Sequence, residues 1–210
     1  MSEEAAIAAT VARRAPAQQR SRERLERILA VASDLIARKG SDQMKMSEIA
    51  DLAGISIGSL YQYFPDKSAI IRTLAERYNG ESRKCIETAF ADVRGLDGLL
   101  AAYSGLVDQY YQIVLAEPVM RDIWSGMQVD RQLAEIELAE SRAAGALLAA
   151  AMMRIRPDSD PERTASTAFL IWHLGEATVR LAVSYDAVEG AALVNDFKRM
   201  TVRELATPRD

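Results

Sequence analysis

The stretch from Ile49 to Phe64, IADLAGISIGSLYQYF, holds the most pointed arrangement of side chains in this sequence. After Ser56, the residues Leu60 and Phe64 stand four apart, so on a helix they share an inward face. Ile57, Gly58, Ser59, Tyr61, Gln62 and Tyr63 are left on the other faces. Two tyrosines, a glutamine and an isoleucine do not make an ordinary solvated surface. The chemistry open to them is recognition, because amides and hydroxyls can hydrogen bond to base edges and phosphates without making or breaking covalent bonds. Packing of Tyr61 and Tyr63 against neighbouring helices is the plainer alternative.

Catalysis finds no foothold. The sequence lacks a G-x-S-x-G elbow, a P-loop, a Rossmann glycine pattern and an H-E-x-x-H pair. Glu135, Glu137 and Glu140 sit near Arg131 and Arg142 on one helical segment, which a charge-laced solvated face explains. One cysteine, Cys85, and one histidine, His173, leave no donor set for a transition metal and no disulfide. The chain is expected to be no enzyme and to carry no cofactor.

A seven- or eight-residue helix is too short to stand alone, so other elements must hold the Ser56 to Phe64 segment in place. Between Ser21 and Lys39, Leu25, Ile28, Leu29, Ala32, Leu35 and Ile36 recur at spacings of three and four, and Gly40 follows the basic pair Arg38-Lys39 as a stop. Met46, Ile49, Ala50 and Ala53 form a second stripe, Gly54 supplies a turn, and Ser56 is a natural N-cap. Three such helices, the third presenting its first turn, make a helix-turn-helix, and a helix fits the major groove. Pro65-Asp66-Lys67 opens a fourth helix that runs either to about Val93 or to a break at Asn79-Gly80. Further helices are expected near 97–116, 119–127, 130–156, 161–186 and 189–206, about nine in all, making the fold class all-α.

Residues 1–20 are rich in Ala and Gln, contain Pro16, and carry Arg13, Arg14 and Arg20. They read as a disordered tail or as an arginine arm that follows a groove or phosphates. The charge is uneven: residues 1–79 hold twelve basic and ten acidic residues, while the whole chain has 26 and 30. A mildly basic head on an acidic body suits a nucleic-acid-binding module attached to something else. No segment has the length of a membrane span and the N-terminus lacks the order of a secretory signal, so a cytoplasmic protein with no membrane partner is expected.

The series Ile49-Ala50, Ala53-Gly54-Ile55-Ser56, Gly58-Ser59-Leu60-Tyr61, Tyr63-Phe64 and Lys67, ungapped, resembles the DNA-binding domain of the TetR family of bacterial transcriptional repressors over residues 22–79. Two positions depart from it: Ile57 stands where a lysine is common, and Lys45 where a Thr or Ser cap is common. The resemblance and the helical geometry together assign Ser56, Ile57, Gly58, Ser59, Tyr61 and Gln62 to the groove, with Gln62 suited to paired hydrogen bonds with adenine. Lys45, Ser47, Tyr63 and Lys67 would hold phosphates of a double-stranded operator. The implied organisation is a helix-turn-helix domain at 21–66 and an effector-binding and dimerisation domain at 67–210.

In that body, Tyr103, Tyr110, Met120, Trp124, Met127, Met152 and Trp172 form a set of large adaptable side chains, any one of which would equally serve a core. The resemblance implies an effector pocket here, with Glu176 as a polar candidate unless it simply pairs with Arg180 one turn on. The segment Phe169 to Tyr185 is apolar on more than one side. By resemblance its Leu174, Ala177 and Leu181 join Val194, Phe197 and Met200 of the last helix in a two-fold dimer. The reading is a ligand-responsive, homodimeric DNA-binding repressor released by a small apolar or aromatic effector. The alternative is an architectural or protein-interaction module without an effector.

Overall fold

A computed structural model describes residues 3–126 and 130–207, with side chains from residue 18 onward. Among the described residues there are nine α-helices and no strand: α1 (Glu3–Lys39), α2 (Met46–Ala53), α3 (Ile57–Tyr63), α4 (Lys67–Ala91), α5 (Gly95–Ala116), α6 (Pro118–Gly126), α7 (Arg131–Ile155), α8 (Pro161–Ala182) and α9 (Ala187–Ala206). They fall into two compact units, Met1–Leu74 and Ala75–Asp210, so the division lies inside α4 rather than at the expected residue 66. That helix has no break at Asn79-Gly80. Among the described residues, no helix is long and apolar enough to cross a membrane.

Most of residues 1–20, expected as a tail, fall within α1, which is helical from Glu3. Ala, Glu, Gln and Arg, which dominate this stretch, are strong helix formers, and their summed preference outweighs the single Pro16. The side chains of Arg13 and Arg14 lie outside the described residues.

The first unit packs the α1 stripe, Ile28, Leu29, Ala32, Leu35 and Ile36, with Ile49, Ala50 and Ala53 of α2, Leu60 of α3, and Ile70 and Leu74 of α4; all are buried. The α2–α3 turn needs glycine: Gly54 lies at φ +64°, and its N–H reaches the carbonyls of Ala50 and Asp51. Asp66 Oδ1 accepts from the Ala69 N–H at 2.7 Å and so caps α4.

The second unit is built on α7, α8 and α9 with α5 against them. At Gly145 the backbones of α7 and α8 come so close that a Cβ would lie 2.7 Å from Phe169 Cα. The Ala-rich run around it is thus packing surface. Polar ties cross the bundle: Lys198 pairs with Asp108 at 2.6 Å, Arg83 with Glu140, and Arg156 donates to the Ala206 and Thr207 carbonyls at 2.9 and 3.0 Å. The last pair satisfies orphan acceptors at the end of α9.

Candidate functional site

α3 is short, but it is held at both ends. Ser56 Oγ accepts from the Ser59 N–H at 3.1 Å, capping the first turn, while Leu60 is wholly buried and Phe64 nearly so. Ile57 and Tyr61 are left 43% and 52% exposed, and Gly58 and Gln62 are exposed beside them. A hydrophobic residue half in water next to an unconstrained amide is a surface prepared for a partner. Two further contacts fix its orientation. Arg24 Nη1 on α1 donates to Ser59 Oγ at 3.4 Å, and the Tyr63 and Ser21 hydroxyls lie 3.0 Å apart.

Lys45 and Ser47, at the start of α2, are exposed. Lys45 makes no side-chain cap, consistent with the absence of a Thr or Ser there, and leaves its ammonium available. Lys67 is different. Its ammonium donates to the Ser41 and Asp42 carbonyls, each at 3.2 Å, tying the α1–α2 connection to the start of α4.

The second unit holds a half-open cavity of about 240 Å³. Tyr78, Glu81, Ser82, Cys85 and Ile86 of α4 form one wall, and Tyr103, Leu106, Val107, Gln109, Tyr110 and Ile113 of α5 another. Met120 of α6 and Trp172, Gly175, Glu176 and Val179 of α8 complete it. The lining is mostly apolar and aromatic with a few convergent polar groups, the usual make-up of a small-molecule site. Tyr103 is almost fully buried, and burial pushes its phenol up to about 12; the adjacent Thr201 hydroxyl offsets this only in part, being committed to the Phe197 and Lys198 carbonyls. Burial, then the negative charge of Glu176 and Glu137, raises the Tyr110 phenol well above its ordinary value. Both tyrosines are therefore neutral hydrogen-bonding groups at physiological pH.

Glu176 is the polar centre of the cavity. Its Oε1 accepts from Trp172 Nε1–H at 3.0 Å and its Oε2 from the Ser141 hydroxyl of α7, whose oxygen lies 3.2 Å from His173 Nδ1. Arg180, one turn on, does not pair with it; its guanidinium donates to Glu137 at 2.9 Å. Burial, reinforced by the charge of Glu137, raises the Glu176 carboxyl from 4.5 to about 7. Because the folded state holds this proton more tightly than the unfolded chain, the group's contribution to stability is full below pH 4.5 and is lost as pH rises through about 7. Comparison of wild type with Glu176→Gln by denaturant titration should show the wild-type advantage falling by up to about 3 kcal/mol across that interval. A flat difference would mean that the carboxyl is ionised throughout.

Residues 97–208 match the family described as "Tetracyclin repressor-like, C-terminal domain", and residues 28–74 match "Bacterial regulatory proteins, tetR family". The chain belongs to the TetR family. A curated relative, the HTH-type transcriptional repressor KstR2 of Mycolicibacterium smegmatis, is 29% identical over 105 residues, 48% of this chain and 50% of that protein. The chain spans half or less of the length of the curated relatives it matches. Among solved structures, the fatty acid degradation regulator FadR of Bacillus halodurans superposes with a TM-score of 0.67 at 19% identity, covering 88% of this chain and 97% of that one. FadR of Bacillus subtilis, solved in complex with stearoyl-CoA, superposes at 0.63 with 18% identity over 84% and 97%. These structures share the TetR fold.

Within this TetR fold the sites expected from sequence are met unevenly. Ile57, Gly58, Tyr61 and Gln62 lie together on the open side of α3, with Ser59 and Tyr63 half-buried at its margin. Lys67, expected at a phosphate, acts as a brace in this structure: its ammonium donates to the Asp42 carbonyl and to that of Ser41, which also accepts from the Met44 N–H. In the body, Tyr103, Tyr110, Met120, Trp172 and Glu176 line the cavity. Trp124 does not: it stands edge-on to Tyr110, ring centroids 6.2 Å apart, and beneath the Arg180 guanidinium. Met152 is also corrected, lying buried in the core, and Met127 falls outside the described residues. The α4 wall was missed, since Tyr78, Glu81, Ser82 and Cys85 look like an ordinary polar helix face until α5 is placed against them.

The expected dimer residues divide the same way. Leu174 and Leu181 of α8 are 46% and 50% exposed, Leu170 of the same helix is likewise exposed, Met200 of α9 is exposed, and Ala177 is half-buried. Val194 and Phe197 are corrected to core residues. Gly175 leaves the notch that admits the Phe197 ring, where a Cβ would lie 3.2 Å from Phe197 Cε1.

Proposed function

We propose that this chain is a ligand-responsive transcriptional repressor that binds operator DNA as a homodimer and is released by a small apolar or aromatic effector. The observation that carries the reading is α3: an exposed edge of Ile57, Gly58, Tyr61 and Gln62 on a capped helix anchored by Leu60. Such an edge suits the major groove, where Ile57 can meet a thymine methyl and Gln62 an adenine. Family membership and the repressor KstR2 among its relatives support the same conclusion. The exposed α8 stripe supplies the surface for a second copy, which one short recognition helix requires for specific binding. The cavity is the effector site in this reading, and the structurally similar FadR of Bacillus subtilis, solved in complex with stearoyl-CoA, supports a ligand for a protein of this fold.

Coupling would run through α4. Its residues Tyr78, Glu81, Ser82, Cys85 and Ile86 line the cavity, and its beginning is held by Asp66, Lys67 and Ile70 in the DNA-binding unit. A ligand that displaces the α4 wall would bias the helix-turn-helix, with a coupling of about 1–3 kcal/mol. Selection of bound duplexes from a random pool, followed by release assays with a library of small apolar compounds, tests the whole reading. Recovery of no consensus sequence would defeat the DNA-binding part, and a consensus that no compound releases would favour an architectural role.

Side-chain replacements separate reading from bracing. Gln62→Ala should relax preference at one base pair by about 1–3 kcal/mol while leaving non-specific affinity nearly intact. Lys67→Ala should instead lower the stability of the first unit by about 1–2 kcal/mol and weaken all sequences alike. Specificity profiles of the two variants, measured at one salt concentration, distinguish these outcomes.

A further inference from the structure

We infer that the cavity accepts a compact apolar monocation, of the aryl-alkyl amine class, with the Glu176 carboxylate as its counter-charge. The inference rests on the cavity being the effector site, and it chooses among the ligands that such a site could take.

Charge makes the choice. Among the described residues that line the cavity, the only charged side chains are Glu81 and Glu176; no Lys, Arg or His is among them. Glu81 is 65% exposed and lies 3.5 Å from Arg77, so it marks the rim and is screened there. Glu176 is 12% exposed and takes its two hydrogen bonds from neutral donors, the Trp172 indole and the Ser141 hydroxyl. The nearest guanidinium, Arg180, is committed to Glu137. His173 Nδ1 lies 3.9 Å away and nearer to Ser141 Oγ. The Ser141 hydroxyl, which donates to Glu176, is the group that Nδ1 meets at 3.2 Å.

A buried carboxyl without a cation is costly to ionise, which is why this one holds its proton to about pH 7. An entering cation removes that cost and leaves both oxygens bonded as they are. The remaining lining suits the body of such a ligand: Ile86, Leu106, Val107 and Val179 are apolar, and Tyr110 and Trp172 add aromatic rings, a residue type that attracts cations. An anionic headgroup would instead sit against Glu176 inside or Glu81 at the rim. The phosphates of a coenzyme A ester find no cation among the described lining residues, and about 240 Å³ is below the usual range of roughly 300–1,000 Å³ for small-molecule sites. The ligand class therefore differs from the acyl-CoA held by the Bacillus subtilis neighbour.

Three probes with one apolar body test this: 4-phenylbutylamine, 4-phenylbutanol and 4-phenylbutyrate, titrated calorimetrically into the full-length protein. The amine should bind at least about tenfold more tightly than the butyrate. Its affinity should also rise about tenfold between pH 6 and pH 8 as Glu176 ionises, the amine itself remaining charged with a pKa of about 10. The groups facing Glu176 that must be held in mind are Glu137 on α7, Tyr110 on α5, His173 and Arg180 on α8, and Glu81 on α4. Glu176→Gln should abolish both the amine preference and its pH slope while the alcohol still binds, and Glu81→Gln should change them only about twofold because that site is screened. Tighter binding of the butyrate, or an amine preference that survives Glu176→Gln in a variant with wild-type circular dichroism, overturns the inference and leaves the effector site standing. Binding of none of the three at millimolar concentration defeats the effector-site reading and this inference with it.

Discussion

A chain carrying Leu174→Asp and Leu181→Asp together is expected to sediment as a monomer and to bind operator DNA at least about 100-fold more weakly than wild type. Both leucines stand on α8 about half exposed, with Leu170 one turn before and Ala177 between them, at spacings of four, three and four that give one stripe. In a two-fold dimer each substitution counts twice. Four buried leucines contribute roughly 1.5–3 kcal/mol each, and a desolvated aspartate adds a penalty of its own, so the loss far exceeds the 2.7 kcal/mol of a hundredfold change. The folded unit should survive, because neither side chain belongs to its buried core. Sedimentation equilibrium with fluorescence anisotropy on labelled operator measures both effects. A dimer that persists would put the interface elsewhere, and a monomer that binds with full affinity would remove the need for paired recognition helices.

Gly145→Val should destabilise the second unit by about 3 kcal/mol or more, seen as a lowered urea midpoint with little change in slope. Helix propensity alone argues the other way. Glycine inside a helix costs about 1 kcal/mol relative to alanine, so any side chain at Gly145 ought to help α7. Contact with α8 reverses the sign: a Cβ at Gly145 would meet Phe169 Cα at 2.7 Å and Phe169 N at 3.1 Å, and both are backbone that cannot turn aside. Gly80→Ala in α4 is the matched control. Nothing lies within 4 Å of a Cβ there, so propensity acts unopposed and stability should rise by about 0.5–1 kcal/mol. Equal responses at the two glycines would mean that α7 and α8 are not closely packed.

The contrast between these glycines shows what could be read in advance. Both are helical glycines in the sequence, and only the crossing of α7 with α8 distinguishes them. The same holds for Lys67 and Gln62, both polar and both near α3, of which one braces a turn and the other faces outward. Glu176 and Arg180 stand one turn apart, a spacing that invites an ion pair, but each finds a partner on α7 instead, Ser141 and Glu137.

Sequence by itself determined the all-α class, the turn at Gly54, the cap at Ser56, the inward pair Leu60 and Phe64, and the outward edge of Ile57, Tyr61 and Gln62. These follow from interactions within a turn or two of chain: a glycine at positive φ, a hydroxyl meeting an N–H three residues on, and apolar residues repeating at the helical period. Tertiary structure decided which wall α4 gives to the cavity, why Phe197 enters the core through the notch at Gly175, and why Glu176 takes its hydrogen bonds from the Trp172 indole and the Ser141 hydroxyl. A helical period says which face of a helix is apolar, but not which helix will cover it. The burial and charge of a side chain depend on that neighbour, which in this chain lies tens of residues away.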